Sequence, residues 1–220
     1  MTTTNEGKEY RRYNWEMPIR ILDEEIAVIE EVFCRVNQDI KTAFSYWTSF
    51  SSESRIQQSE IRLFGDLEKD LSDKMFWTGR INDTTSRFAM FWDESTIAPI
   101  LYGVLGGDIE GVRKRILSSR KELTNIELGI LFDPILQCFI NPINNQFSNF
   151  NPGNHLLLDQ MSFRLNDASG LFHGNEFCYV KTFHYFWISG QNESIASKCH
   201  FVLPQTFIRK YNWRSKNAKF

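Results

Sequence analysis

The sequence predicts an α/β protein, an α/β/α sandwich in which one plan of elements is used twice. A long helical periodicity opens each half of the chain, at residues 22–40 and again at 124–140, roughly a hundred residues later. Each is followed by three short runs rich in β-branched and aromatic residues, and each half ends in a shorter helix. The halves share little sequence, so the repeat lies in element order alone: helix, three strands, helix, with a pseudo-twofold relation. Two such halves bury their apolar faces by sharing one sheet beneath helices.

Residues 1–9 are polar and small, and disorder is expected there. From Tyr10 to Pro18 aromatic side chains alternate with arginines, which reads as an extended lead-in to a domain spanning 10–213. Leu22, Ile26, Ile29, Phe33, Val36 and Ile40 then recur at spacings of four and three, one apolar helix face. Asp23, Glu24 and Glu25 put negative charge in its first turn, where the helix dipole favours it. Strands are expected at 55–64, 74–81 and 86–92, each bounded by Gly, Asp or Asn.

A second helix is expected at 96–105. Pro99 is tolerable in its first turn, and Gly106 or Gly107 can take the left-handed conformation that closes it. Arg113, Lys114 and Arg115 read as a basic connector. Thr124 and Glu127 then form a capping box: the hydroxyl takes an orphan amide and the carboxylate returns to the cap's own N–H. Pro134 falls inside that helix, removes one backbone bond and is expected to kink it near Asp133. Asn144 through Pro152 reads as a turn-rich exit into strands at 155–163, 177–188 and 195–203. A short helix follows Pro204, and 214–220 reads as a basic tail. Residues 159–176, polar and glycine-containing, read as an enlarged hairpin on the surface.

Composition narrows the function. With 220 residues there is enough chain for a substantial core, and a net charge of −2 argues against a general nucleic-acid or polycationic membrane binder. No stretch of eighteen apolar residues and no leader-like run is present, and the four cysteines are far apart without a CxxC pair. A cytosolic protein with reduced thiols is expected. Cys178, His184, Cys199 and His200 fall on strands that can be drawn as neighbours, but Cys199 and His200 point to opposite sheet faces and cannot chelate together. No metal or cofactor is expected, and no phosphate loop, nucleophile elbow or HExxH helix occurs.

Three motifs in order carry a resemblance. They are the helix ending in Gly106-Gly107, the start Glu122-Leu123-Thr124-Asn125-Ile126-Glu127, and the exit Asn144-Asn145-Gln146-Phe147. Together they resemble the middle domain of the flagellar motor switch protein FliM. The resemblance implies an α/β/α sandwich shared with the CheC-type phosphatases, and a wall segment of the rotor's cytoplasmic ring at the inner membrane's cytoplasmic face. It also implies self-association in that ring and docking of FliG by a glycine loop, here Gly106, Gly107, Asp108 and Ile109. The family loop has glycine where Ile109 stands, and Ile109 is expected to act there as an exposed apolar anchor.

Other family features are missing. Residues 1–9 lack the acidic-hydrophobic peptide that captures CheY, and the chain stops at Phe220 without the β-rich domain that joins FliN. Contacts with CheY and FliN are therefore not expected, whether the chain is an isolated middle domain or a shortened relative. CheC-type phosphatases carry a glutamate and an asparagine three residues later on a long helix. Here Glu31 is followed by Cys34, Glu30 by Phe33, Glu127 by Ile130 and Asp133 by Leu136, so a non-enzymatic protein is expected. The alternatives are a CheC-like phosphatase of phospho-CheY and a component of the type III secretion sorting platform.

Overall fold

Helix α1 (Asp23–Trp47) follows the periodicity read from the sequence and passes it, because Phe44 extends the buried face made by Ile29, Phe33, Val36 and Ile40. The computed structural model describes residues 23–57, 59–81, 86–118, 123–149, 155–162, 172–188 and 193–210. The polar start, the aromatic lead-in and the basic tail lie outside them.

After α1 come β1 (Ser51–Ile56), β2 (Glu60–Leu63), α2 (Phe64–Leu71), β3 (Met75–Ile81), β4 (Arg87–Trp92) and α3 (Glu94–Val104). The second half has α4 (Ile109–Leu117), α5 (Asn125–Ile135), a π-helical turn (Leu136–Ile140) and α6 (Asn141–Ser148). It ends with β5 (Leu156–Ser162), β6 (Phe177–Ile188), β7 (Ser194–Pro204) and α7 (Gln205–Lys210). Among the described residues seven strands form one antiparallel sheet in the order β1-β6-β7-β4-β3-β5, with β2 also paired to β6.

That order shows the twofold plan. Outward from the central β4–β7 pair lie β3 and β6, then β5 on one edge and β1 with β2 on the other. The edge strands are exchanged: β1 and β2 belong to the first half yet pair with β6, and β5 pairs with β3. Alternation gives the sheet two faces. One, with Trp77, Phe88, Trp92, Tyr179, Phe183, Tyr185 and Phe201, is buried beneath α1, α3, α5, α6 and α7. The other has a smaller core in which α2 and Phe172 pack over Phe76, Phe91, Cys178, Val180 and Val202.

Four expectations are corrected. The single strand at 55–64 is two pieces, β1 and β2, and an unforeseen helix starts at Phe64, where Phe64, Leu67 and Leu71 make an apolar stripe. The basic connector is helix α4. Its buried positions, Ile109 and Val112, are few, while Lys114 and Arg115 in its last turn suit the negative end of the helix dipole. Residues 159–176 do not join a hairpin, because β5 pairs with β3 on one edge of the sheet while β6 pairs with β7 and β1 towards the other.

The asparagine-rich exit is helix α6. Pro134 does disturb the long helix, and the disturbance takes the form of the π turn directly after it. The widened register reaches Asn141, whose N–H donates to the Leu136 carbonyl, and Pro142 follows where its missing donor is tolerated. The combined helix, Asn125–Ser148, is long and apolar enough to cross a membrane on length and composition alone. Leu131, Ile135, Cys138, Phe139, Ile143 and Phe147 instead bury its apolar side in the core.

A glycine loop on a three-helix base

The connection between α3 and α4 is built by caps at both ends. Asp93 starts α3 by accepting from the Thr96 N–H at 3.0 Å and the Thr96 hydroxyl at 2.9 Å. α3 ends in a Schellman motif: the Gly106 N–H donates to the Gly103 carbonyl and the Gly107 N–H to the Tyr102 carbonyl, at 3.4 and 2.6 Å. Gly106 has φ +73°, the left-handed conformation that only glycine enters without strain. Asp108 then caps α4, its Oδ1 accepting from the Gly111 N–H at 2.7 Å.

The second glycine has a different reason. A Cβ on Gly107 would stand 2.7 Å from Cδ1 of Tyr102, and one on Gly111 would stand 2.4 Å from Cε1 of the same ring. Tyr102 thus lies in a notch made by two glycines. Gly103 sits equally close to Thr48, and its carbonyl accepts from the Ser49 N–H at 3.3 Å, which fixes the loop to the corner between α1 and β1.

Of the four predicted loop residues, Gly106, Gly107 and Asp108 form the turn. Ile109 does not present itself. Its side chain is only 6 % exposed and belongs to the main core, because the first turn of α4 faces inward. The exposed apolar group is Leu105, at 65 %. Sequence reading passed over Leu105 as the last helical residue; the signal available was its place directly before a left-handed glycine, which turns the chain away from the core.

Beneath the loop, Arg115 of α4 binds Glu94 in the first turn of α3 and Glu127 in the first turn of α5. Glu127 also completes the capping box, accepting from the Thr124 N–H at 2.7 Å while the Glu127 N–H donates to the Thr124 hydroxyl at 3.2 Å. The same guanidinium lowers both carboxyls, yet their net shifts are opposite. Burial raises that of Glu94, and Glu127 and Asp93 add to the rise; burial acts on Glu127 too, but the Thr124 and Arg115 bonds outweigh it and hold it low. At the surface Arg113 reaches Glu110 at 3.3 Å and Glu193 at 3.1 Å.

The third motif is structural. The Asn144 amide pins β5, accepting from the Leu156 N–H at 2.7 Å and donating to its carbonyl at 3.1 Å. Gln146 donates to Asp39 of α1 at 2.8 Å, and Phe147 packs edge-on against Phe33. Asp39 and Gln146 set a carboxylate beside a carboxamide, but on two helices and bonded to each other. Glu31 is ion-paired with Arg35 at 2.7 Å, and Glu30 with Lys181.

The cysteine–histidine set is dispersed. Cys199 is buried in the main core, whereas Cys178 lies in the smaller one on the opposite face. His200 is hydrogen-bonded to Thr182 at 3.0 Å and His184 to Gln57 at 3.2 Å. Among the described residues no group of three or more His, Cys, Asp or Glu is arranged to hold a metal ion. Burial pushes the Cys138 thiol up to about 12 and raises those of Cys178 and Cys199.

No family model matches the sequence, and no curated protein sequence matches it. Solved structures do. The FliM middle domain from H. pylori aligns with a TM-score of 0.71 at 13% identity, covering 86% of this chain and 97% of that one. FliM in the FliG–FliM complex from H. pylori aligns with a TM-score of 0.70 at 14% identity, covering 86% and 100%. FliY from Thermotoga maritima aligns at 0.68 and 14%, covering 87% and 96%. The chain has the fold of a FliM middle domain.

Proposed function

We propose that this chain is a component of the flagellar motor switch, a non-enzymatic segment of the cytoplasmic ring. It packs beside its own copies and docks FliG through the Gly106–Gly107–Asp108 turn. The observation that carries this reading is the turn itself: a Schellman end and an N-cap fix its backbone, and Leu105 projects from it. A solvent-facing leucine held on rigid backbone gives a partner an apolar anchor at little ordering cost. The solved FliG–FliM complex from H. pylori, whose FliM shares the fold, supports FliG as that partner. A ring component with this partner works at the cytoplasmic face of the inner membrane.

The test is a pull-down with FliG. Leu105→Asp and Gly106→Trp are expected to reduce capture at least tenfold while circular dichroism stays as in the wild type. Capture unaffected by both would reduce the turn to a helix stop. Ile109→Asp is unsuitable, since it places a charge in the core and unfolds the domain. An unchanged lifetime of phospho-CheY in the protein's presence is the expected result for the absence of phosphatase activity.

A further inference from the structure

Among the described residues the second face of the sheet is covered only in part. Beyond α2 and Phe172, strands β1, β6 and β7 leave a stretch open to solvent, with Arg55, Gln57, Ala196 and Lys198 exposed and His184 and Phe186 half-buried. Register sets Arg55 opposite His184, and His184 opposite Lys198. Adjacent strands are about 4.8 Å apart, so the three basic side chains form a row about 10 Å wide. The Arg55 guanidinium stands 5.4 Å over the Phe186 ring, and the next row holds His200.

These groups repel one another. Burial, Lys74, Lys198 and His184 bring His200 down to about 4 against the pull of Asp93, and burial and Lys198 lower His184. Two carboxylates lie nearby among the described residues, and neither is ion-paired with the row. Asp93 is engaged as the α3 cap, and Glu53 lies along β1, two residues from Arg55. Among the described residues neither Arg55 nor Lys198 has an ion pair, in a chain whose formal charge is −2. Unpaired like charges gathered on one face of an acidic protein are costly unless an anion completes them.

We propose that the open half of this face docks an acidic segment of a partner polypeptide, with carboxylates meeting Arg55 and Lys198 on either side of His184. Two fixed cations and two titratable ones are fewer than the four to eight that hold a protein on an anionic membrane. A sheet face with Phe186 in the row beside these charges, beneath the Arg55 guanidinium, fits a peptide with alternating acidic and apolar side chains. The inference is independent of the glycine loop.

The probe is a fluorescein-labelled peptide of alternating glutamate and leucine, titrated at low salt and read by anisotropy. Arg55→Glu with Lys198→Glu is expected to weaken binding at least tenfold. Lys41→Glu with Lys114→Glu, the same charge change on other exposed helix positions, is expected to leave it within twofold. Affinity is expected to rise as pH falls below 6 and His184 gains charge, and to fall again near 4, where the peptide's own glutamates are protonated along with His200. Equal loss in both double variants, or no binding to the wild type, overturns the proposal. Binding to phosphatidylserine vesicles but not to the peptide overturns it in favour of a membrane surface, and inorganic phosphate competing at low millimolar concentration overturns it in favour of a simple anion site.

Discussion

At the scale of the residue, the two loop glycines make separate predictions, because one is required by conformation and the other by space. A Cβ on Gly106 would meet nothing within 4 Å, so Gly106→Ala carries only the left-handed backbone penalty, about 1 kcal/mol. Gly107→Ala forces a Cβ onto the Tyr102 ring and is expected to cost about 2 kcal/mol. Urea unfolding midpoints of the two variants measure the difference. Lys181 gives a prediction of another kind. It is fully buried, paired with Glu30 of α1, and Glu30 also accepts from the Ser59 N–H at 2.9 Å. Burial alone pushes the Glu30 carboxyl up, but the Lys181 and Ser59 bonds outweigh it and hold it below 4.5. Its contribution is therefore complete above 4.5 and is lost as pH falls through the lower folded value. Glu30→Gln strands a buried ammonium and is expected to cost about 2 kcal/mol at pH 7, given that Glu30 is a quarter exposed. The gap to the wild type narrows towards pH 3. Adding Lys181→Met recovers most of the loss, whereas additive losses show that the pair does not act as a unit.

At the scale of the element, Glu127 is where the helix-start motif and the loop's base meet. Thr124→Ala removes the hydroxyl that accepts from the Glu127 N–H and donates to the Glu127 carboxylate, and is expected to cost about 1 kcal/mol. Glu127→Ala removes the return bond and one of the two partners of Arg115, whose side chain is only 10 % exposed, so it is expected to cost more, about 3 kcal/mol. An equal effect in the two thermal melts would separate the motif from the loop's base. The capping box was legible in the sequence because its signal is local: two side chains three residues apart. The role of Arg115 was not, since its partners lie 21 and 12 residues away on other helices. The same divide explains the other elements. α1, β3, β4, β6 and β7 have periodicities that their own residues fix. α2 and α4 are short, with few buried positions, and are decided by the surfaces they land on. Asn141-Pro142 reads as a helix stop until the π turn before it has shifted the register. Ile109 looked like a surface anchor because the sequence does not say which way the first turn of α4 faces.

At the scale of the whole molecule, the repeat in element order was visible, but the exchange of edge strands was not. Nothing local in Ser51–Ile56 says that it pairs with residues more than a hundred positions away. The exchange has a consequence for folding. Residues 1–118 alone would hold β3 and β4 paired with each other, but β1 and β2 would have no β6 to join, and β4 would lack β7. Residues 123–220 would keep the β6–β7 pair and lose β3, the strand that β5 pairs with. Each half would also expose one side of an aromatic core in which Phe33 of α1 stacks on Tyr179 of β6 and Phe88 of β4 meets Phe201 of β7. Neither half can bury its apolar face alone, so the two are expected to fold only together. The intact chain should unfold in a single transition with coincident fluorescence and circular dichroism curves. The separate halves should lack near-ultraviolet circular dichroism and regain it on mixing at micromolar concentration. A half that folds alone, or two resolved transitions in the intact chain, would show that the exchanged strands are an addition to two finished domains and not the joint that makes one.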